Sequence, residues 1–177
     1  NYTLLDVGCG TGEFLAGCKK VGWGVVGVEP GENARAMAID NYGLSVEEES
    51  YLDKTSSTFD VITLWHVLEH VHDLNQRIDQ LFRLLNKNGV LIIAVPNHTA
   101  KDAALYGEYW AAWDVPRHLY HFSPATLKQL MKRHGFEHIQ SYPMKYDAYY
   151  VSLLSTGYRS EEHTSELQSR GLISYAV

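Results

Sequence analysis

The order of elements in this 177-residue chain predicts an α/β domain built on a doubly wound, mostly parallel sheet. Three observations lead there. Short apolar runs alternate with stretches of helical periodicity as far as Pro96. The first run ends in a glycine-rich loop, DVGCGTG, which opens a helix. The second run ends in an acid, Glu29, about twenty residues further on.

Each element has its own signal. TLLDVG is a short apolar run into glycine, the pattern of a buried strand. EFLAGCKKVG reads as a short helix closed by Gly22, and WGVVGVEPG as a second strand ending in an acid and a turn. NARAMAIDNYG is a helix closed by Gly43, and LSVEEES a short edge strand. FDVITLW is strongly β-branched and apolar, a fourth strand. LNQRIDQLFRLLNKNG places Leu74, Ile78, Leu81, Phe82 and Leu85 on one helical face, and Asn88-Gly89 ends it. VLIIAVPN is a fully apolar strand stopped by Pro96. Residues 98–122 show no regular period. SPATLKQLMKRHG is a helix with Ser123 as N-cap, Pro124 at its first position and Gly135 at its end. FEHIQSYP is read as the sixth and last strand, and DAYYVSLLSTGY as the start of a further helix. No repeat or low-complexity linker interrupts the order, so one domain is expected.

Composition narrows the function. The net charge is −6, with no basic stripe, which argues against a nucleic-acid partner. No apolar run is long enough to insert across a bilayer. There is no signal peptide and no initiator Met, and the two cysteines, Cys9 and Cys18, form no framework, so a reducing cytoplasm is expected. Residues 159–169, RSEEHTSELQS, resemble the translation of a common sequencing-adapter oligonucleotide over eleven consecutive positions. Residues 1–158 are therefore read as the functional domain and 159–177 as a tail without function.

The loop itself is hostile to phosphate. Its glycines, Gly8, Gly10 and Gly12, run G-x-G-x-G rather than the dinucleotide spacing G-x-G-x-x-G. Acids flank it at Asp6 and Glu13. A pyrophosphate there would meet like charge at a cost of roughly several kcal/mol. A ligand with a cationic end suits Asp6, and the glycine N–H groups can take its carboxylate. S-adenosylmethionine (SAM) carries an ammonium, a carboxylate and a sulfonium but no phosphate. Glu29 ends the second strand where an acid accepts both hydroxyls of a ribose.

LLDVGCGTGEFL, GVVGVEPG, FDVITLWHVLEHV, NGVLIIAVPN and HFSPATLKQLMKRHGF resemble, in order, the successive motifs of class I SAM-dependent methyltransferases. The subgroup they resemble most is the ubiquinone-biosynthesis-like O-methyltransferases. The resemblance covers most of residues 4–142 and implies a Rossmann-like sheet, here cut short before its last strand. It also implies that an N-terminal segment, often a lid on the substrate pocket, precedes this one. It implies methyl transfer from SAM to a small-molecule acceptor, a hydroxyl oxygen by preference. Asp6, Gly8, Cys9, Gly10 and Gly12 would surround the methionine part, Glu29 and Pro30 the ribose, and Glu48 the adenine amino group. Trp65 and His66 would line the cofactor pocket.

Two clusters remain for the acceptor. In HVLEHVHD, the spacing of His66, Glu69 and His70 puts them on one side of a helical turn. They can cap the turn, bind substrate or do acid/base work. Relatives with E-x-x-E-H here bind a divalent ion; this chain has His66 at the first acid's place, so no metal is assigned. If one binds, a set completed by His118 or His121 suits zinc or another transition ion better than magnesium. In WDVPRHLYHFS, Arg117 can hold an acidic group and His118 or His121 can take a proton from a hydroxyl. Trp110 would wall an apolar acceptor, or pack its own loop, and Arg117 would alternatively pair with Asp114. Asn97 would hydrogen-bond substrate or hold a turn. Two other functions stay open: a non-enzymatic methyltransferase-like module, and a nucleotide-dependent oxidoreductase.

Overall fold

The computed structural model describes residues 2–169, with side chains for residues 2–161; of the tail read as functionless, residues 170–177 lie outside the described residues. β1 (Thr3–Val7) is the middle strand of a five-stranded sheet. With β2 (Gly24–Val28), β3 (Val46–Glu47), β4 (Phe59–Trp65) and β5 (Leu85–Ala94), it forms the order β3-β2-β1-β4-β5. Every pairing is parallel. The chain runs outward from β1 to β3, then returns to β1's other side with β4. The strand ends diverge at that switch, and ligands of such sheets bind there.

Alternation along the strands builds two cores. Leu4 faces a layer with Leu15 of α1 (Glu13–Lys20) and Ala38 of α2 (Glu32–Tyr42). Leu5 and Val7 point to the opposite face. That face is covered by Ile78, Leu81 and Leu84 of α4 (Leu74–Leu84) and Met131 of α6 (Pro124–Arg133). Leu52 of the short α3 (Tyr51–Lys54), which the sequence did not signal, joins the same core. α6 begins as expected, with Ser123 and Thr126 in a reciprocal capping box and Pro124 at its first position.

Three expectations change. The α4 helix stops at Leu84, not at Gly89, because Leu85 is already extended and paired with Phe59. Asn86 Nδ2 donates to Asp60 Oδ1 at 2.8 Å and fixes that crossing. The edge strand shrinks to Val46–Glu47. The expected sixth strand, FEHIQSYP, is irregular, with His138 at φ 52°. A strand exists only through pairing, and none of the described strands lies beside this segment.

Residues 98–122 fold into a cap. It contains α5 (Lys101–Tyr106) and two 3₁₀ turns, Gly107–Tyr109 and Ala111–Trp113. Its base is closed where His98 N–H donates to Phe122 O at 3.0 Å. Ala103, Trp110 and Ala112 form its own small core, to which Val151 of α7 (Lys145–Ser169) is added. Among the described residues, no helix is long and apolar enough to cross a membrane.

Two glycines of α1 make opposite predictions. Gly12 caps the helix at φ 89°, and an added Cβ would lie 2.7 Å from Leu44 Cδ1 and 2.9 Å from Ala38 Cβ. Gly17 is mid-helix, with nothing within 4 Å of such an atom. Gly12→Ala should cost about 2–4 kcal/mol in denaturant unfolding, while Gly17→Ala should gain about 0.5–1 kcal/mol. Equal shifts of one sign would refute the placement of the loop.

Candidate functional site

The first loop is a tight cradle held from below. Gly8 and Cys9 N–H groups both donate to Val28 O, at 2.7 and 3.1 Å, so β2's end fixes the start of the loop. Gly8, Gly10 and Gly12 all take positive φ, at 76°, 55° and 89°. At Gly8, a Cβ would sit 2.4 Å from Val67 Cγ2. At Gly10 it would meet nothing within 4 Å, so this backbone faces open space where a ligand can come close.

Two acids set the charge of the cradle. Asp6 is 1% exposed, and Thr63 Oγ1 donates to its Oδ1 at 2.6 Å. Burial raises its carboxyl from the ordinary 3.8 to about 6; the Thr63 bond opposes this and the Glu29 charge adds to it. Glu29 accepts from Gly10 N–H at 2.9 Å and from Gly31 N–H at 2.8 Å, bridging the ends of the first two strands. Burial, then Asp6 and Glu29, push the Cys9 thiol up to about 12, so Cys9 presents no thiolate at neutral pH.

A cleft of about 810 Å³ opens beside this loop. Gly8, Glu29, Pro30, Trp65, His66 and His70 line it, from the ends of β1, β2 and β4. Trp65 stands edge-on to Phe14 at 5.4 Å. Glu48 is not among the lining residues: it is exposed, accepts from Ser50 Oγ at 2.7 Å, and lies 3.9 Å from Lys54 Nζ. Its neighbours Glu49 and Ser50 line the cleft instead, and Glu49 pairs with the buried Arg77. The register among three consecutive glutamates is what the sequence could not resolve.

Glu69 is the centre of the second cluster. It is completely buried, and neither carboxylate oxygen has a hydrogen-bond donor. His66 Nδ1 stands 3.6 Å and His118 Nε2 3.9 Å from its Oε1. His66 Nε2 meets Asp147 Oδ2 of α7 at 2.9 Å. Glu69 first and Asp147 second hold the His66 imidazole at about 9, against burial, so it is an imidazolium at neutral pH. Glu69, His70 and His118 each place one ligand atom within 4.8 Å of the others. His70 Nδ1 and His118 Nδ1 contact the carbonyls of Arg117 and Ala112, both at 2.9 Å, leaving each Nε2 for the cluster.

The cap residues divide. His118 is brought to the cluster, with its side chain 9% exposed and its ring 4.7 Å from that of His70. His121 is exposed, edge-on to Trp113 at 4.9 Å, with Nε2 held 3.0 Å from Trp113 O. Trp110 is buried in the cap core and is not among the residues lining the cleft. Arg117 turns outward and donates through Nε and Nη2 to Asp114 Oδ1, at 3.0 and 2.6 Å. Asn97 Oδ1 accepts from Thr99 N–H and Oγ1, at 3.0 and 2.8 Å, and so holds the turn into the cap. Packing and local pairing occupy Trp110, Arg117 and Asn97 before any acceptor does.

Residues 1–141 match the model of a family described as a methyltransferase domain. The chain belongs to this family. It is 30% identical over 158 residues to the ubiquinone biosynthesis O-methyltransferase of Azorhizobium caulinodans, covering 81% of this chain and 62% of that protein. It is 34% identical over 125 residues to the protein of that description from Pelagibacter ubique, covering 64% and 51%. The chain thus spans about three-fifths or less of the length of these relatives. Among solved structures, its fold is similar to a SAM-dependent methyltransferase of Thermotoga maritima, described as a possible histamine N-methyltransferase. That match has a TM-score of 0.63 and 24% identity, and covers 77% of this chain and 64% of the other. The phosphoethanolamine N-methyltransferase 2 of Haemonchus contortus, solved with SAM, matches with a TM-score of 0.66 and 17% identity, covering 98% and 41%.

In this methyltransferase domain, two contributors escaped the sequence. Thr63 was legible in principle, as a polar residue within the apolar FDVITLW. Asp147 was not, since only the fold brings a helix acid to a histidine 81 residues earlier.

Asp6 makes the sharpest electrostatic prediction. Its folded value lies above the ordinary one, so the fold loses stability as pH climbs from about 4 through about 6. Above pH 6, Asp6→Asn should therefore raise stability, by about 1–3 kcal/mol, with little effect at pH 4. The same variant should bind S-adenosylhomocysteine at least tenfold more weakly at pH 7.5, and the native chain should lose affinity as pH falls through about 6. Calorimetry and melts at both pH values check this; unchanged affinity would undo the role of Asp6.

Proposed function

We propose that the domain transfers a methyl group from SAM to a hydroxyl oxygen of a small-molecule acceptor, with His118 as the base. One observation carries the cofactor: a glycine cradle set between a buried carboxylate, Asp6, and a ribose-type acid, Glu29, which repels phosphate and suits a ligand with a cationic end. The names of the curated relatives support oxygen as the acceptor atom. Membership of a methyltransferase family removes the support for an oxidoreductase. A cytoplasmic setting fits the two unpaired cysteines.

When bound, SAM supplies an activated methyl on a sulfonium, whose leaving electrons stay with sulfur. The chain supplies position and proton handling. Asp6 favours the ammonium end; the Gly8, Gly10 and Gly12 N–H groups, expected to take the carboxylate, are instead given to Val28 O, Glu29 Oε2 and Cys9 O and hold the loop itself. His66, an imidazolium between two acids, does not serve as a base. His118 does: with Nδ1–H directed at Ala112 O, Nε2 carries the lone pair. Removing the acceptor's proton would leave its oxygen an electron pair for the methyl that bound SAM would supply. Glu69 Oε1 and Asp114 Oδ2 lie 3.9 and 3.7 Å from that nitrogen.

A second reading of the cluster rests on Glu69, a buried carboxylate with no donor on either oxygen. Glu69, His70 and His118 fit a divalent ion, and two imidazole donors suit zinc or a late transition ion better than magnesium. Such an ion would polarise the acceptor oxygen, and His118 would then be a ligand instead of the base.

Two measurements follow. Against a panel of phenols with SAM, His118→Ala should lower kcat about 100-fold or more while leaving cofactor affinity intact, and His121→Ala should change kcat only a few-fold. Equal losses would reject the base, and no methylated hydroxyl acceptor would reject oxygen transfer. Titrating metal-free chain with zinc should raise Tm only if the ion reading holds, and Glu69→Gln should abolish that shift.

A further inference from the structure

We propose that Asp147 is a latch: through His66 it ties α7 and the cap to the cofactor cleft, and so sets how fast the cofactor exchanges. The proposal rests on the SAM reading of the cleft.

His66 is where β4 leaves the sheet. Its N–H donates to Ala94 O at 3.0 Å, so β5 fixes its backbone. Its φ of 55° is uncommon for a residue with a side chain, and marks a position held by its surroundings. The ring forms part of the cleft wall. Both its nitrogens face acids, Glu69 at 3.6 Å and Asp147 at 2.9 Å. Of the two, only the Asp147 contact is within hydrogen-bond distance, so the Nε2 side of the ring is spent on holding α7.

α7 and the cap behave as one body. Val151 packs on the cap core. Ser155, fully buried, accepts from Ala111 N–H at 2.8 Å, and Thr156 Oγ1 meets Tyr106 Oη at 2.9 Å. Residues 137–144, which lead into α7, form neither helix nor strand and are largely exposed. That lead-in does little to hold the helix in place. Among the described residues, the polar links from cap and α7 to the sheet half include His70 with Arg117 O, the Leu119 and Tyr120 N–H groups on Glu69 O, Tyr120 Oη donating to His72 O, His118 near Glu69, and His66 with Asp147, while Tyr120 and Phe122 pack on the sheet core. Asp147 alone among these belongs to α7, and its partner lines the cofactor's own wall. Cofactor exchange that displaces the His66 ring must release Asp147.

Asp147 and His66 side chains are 38% and 43% exposed, so the pair is a modest contact suited to opening. Release of S-adenosylhomocysteine from the full chain can be followed in a stopped-flow instrument by tryptophan fluorescence, since Trp65 lines the cleft. Asp147→Asn should speed release about threefold to tenfold. Asp147→Glu, which keeps the charge, should stay closer to native. Asp79→Asn, which breaks the His134–Asp79 pair of α4 and α6 away from the cap, should leave the rate unchanged. Bound S-adenosylhomocysteine should also slow amide exchange over residues 145–151 in the native chain, and less in Asp147→Asn. A native chain that binds while Asp147→Asn releases at the native rate overturns the latch alone. Equal acceleration by Asp79→Asn also overturns it, as a general loosening. A native chain with no binding overturns the SAM reading and the latch together.

Discussion

A carboxylate kept charged in a dry place organises this site. Asp6 sits on the central strand, 1% exposed, with a single neutral donor, Thr63, to steady it. A charge so placed is costly until a cation arrives. The loop above it has no lysine or arginine, and Glu29 adds a second negative group on the neighbouring strand. The cradle therefore favours a ligand with a cationic end such as an ammonium, and disfavours one that carries phosphate. Strand order supplies the position, since Asp6 lies on β1 beside β4, where the sheet's winding reverses.

The molecule divides into a sheet half that carries the glycine loop with Asp6 and Glu29, and a cap with α7 that carries His118. Glu69 stands at the joint. Its backbone carbonyl receives two cap N–H groups, while its carboxylate faces one histidine from each half. Whatever cation completes that carboxylate, whether imidazolium or metal, also couples the halves. In the proposed reaction, chemistry and cap position would thus depend on the same few side chains.

Much of this was legible in the sequence. Short apolar runs, helical stretches and glycine punctuation gave the β1–α1–β2–α2 order, and the acids at Asp6 and Glu29 gave the cofactor class. Boundaries failed where tertiary pairing overrode local preference, as when Leu85 left a strong helical pattern to pair with Phe59. FEHIQSYP had the composition of a strand but no neighbour. In the cap, side-chain identity did not distinguish packing from presentation. Trp110 is buried, Arg117 is paired with Asp114, and of two similar histidines only His118 reaches Glu69. Those choices follow from the 3₁₀ turns and the docking of α7, which no short spacing encodes. The Asp147–His66 contact is of the same kind.

The measurement that tests the account most directly is isothermal titration of the chain with S-adenosylhomocysteine and, separately, with NAD. Saturable binding of the first at one site per chain, with none of the second, is the predicted result. Binding of NAD in preference to S-adenosylhomocysteine would contradict the charge argument built on Asp6 and Glu29.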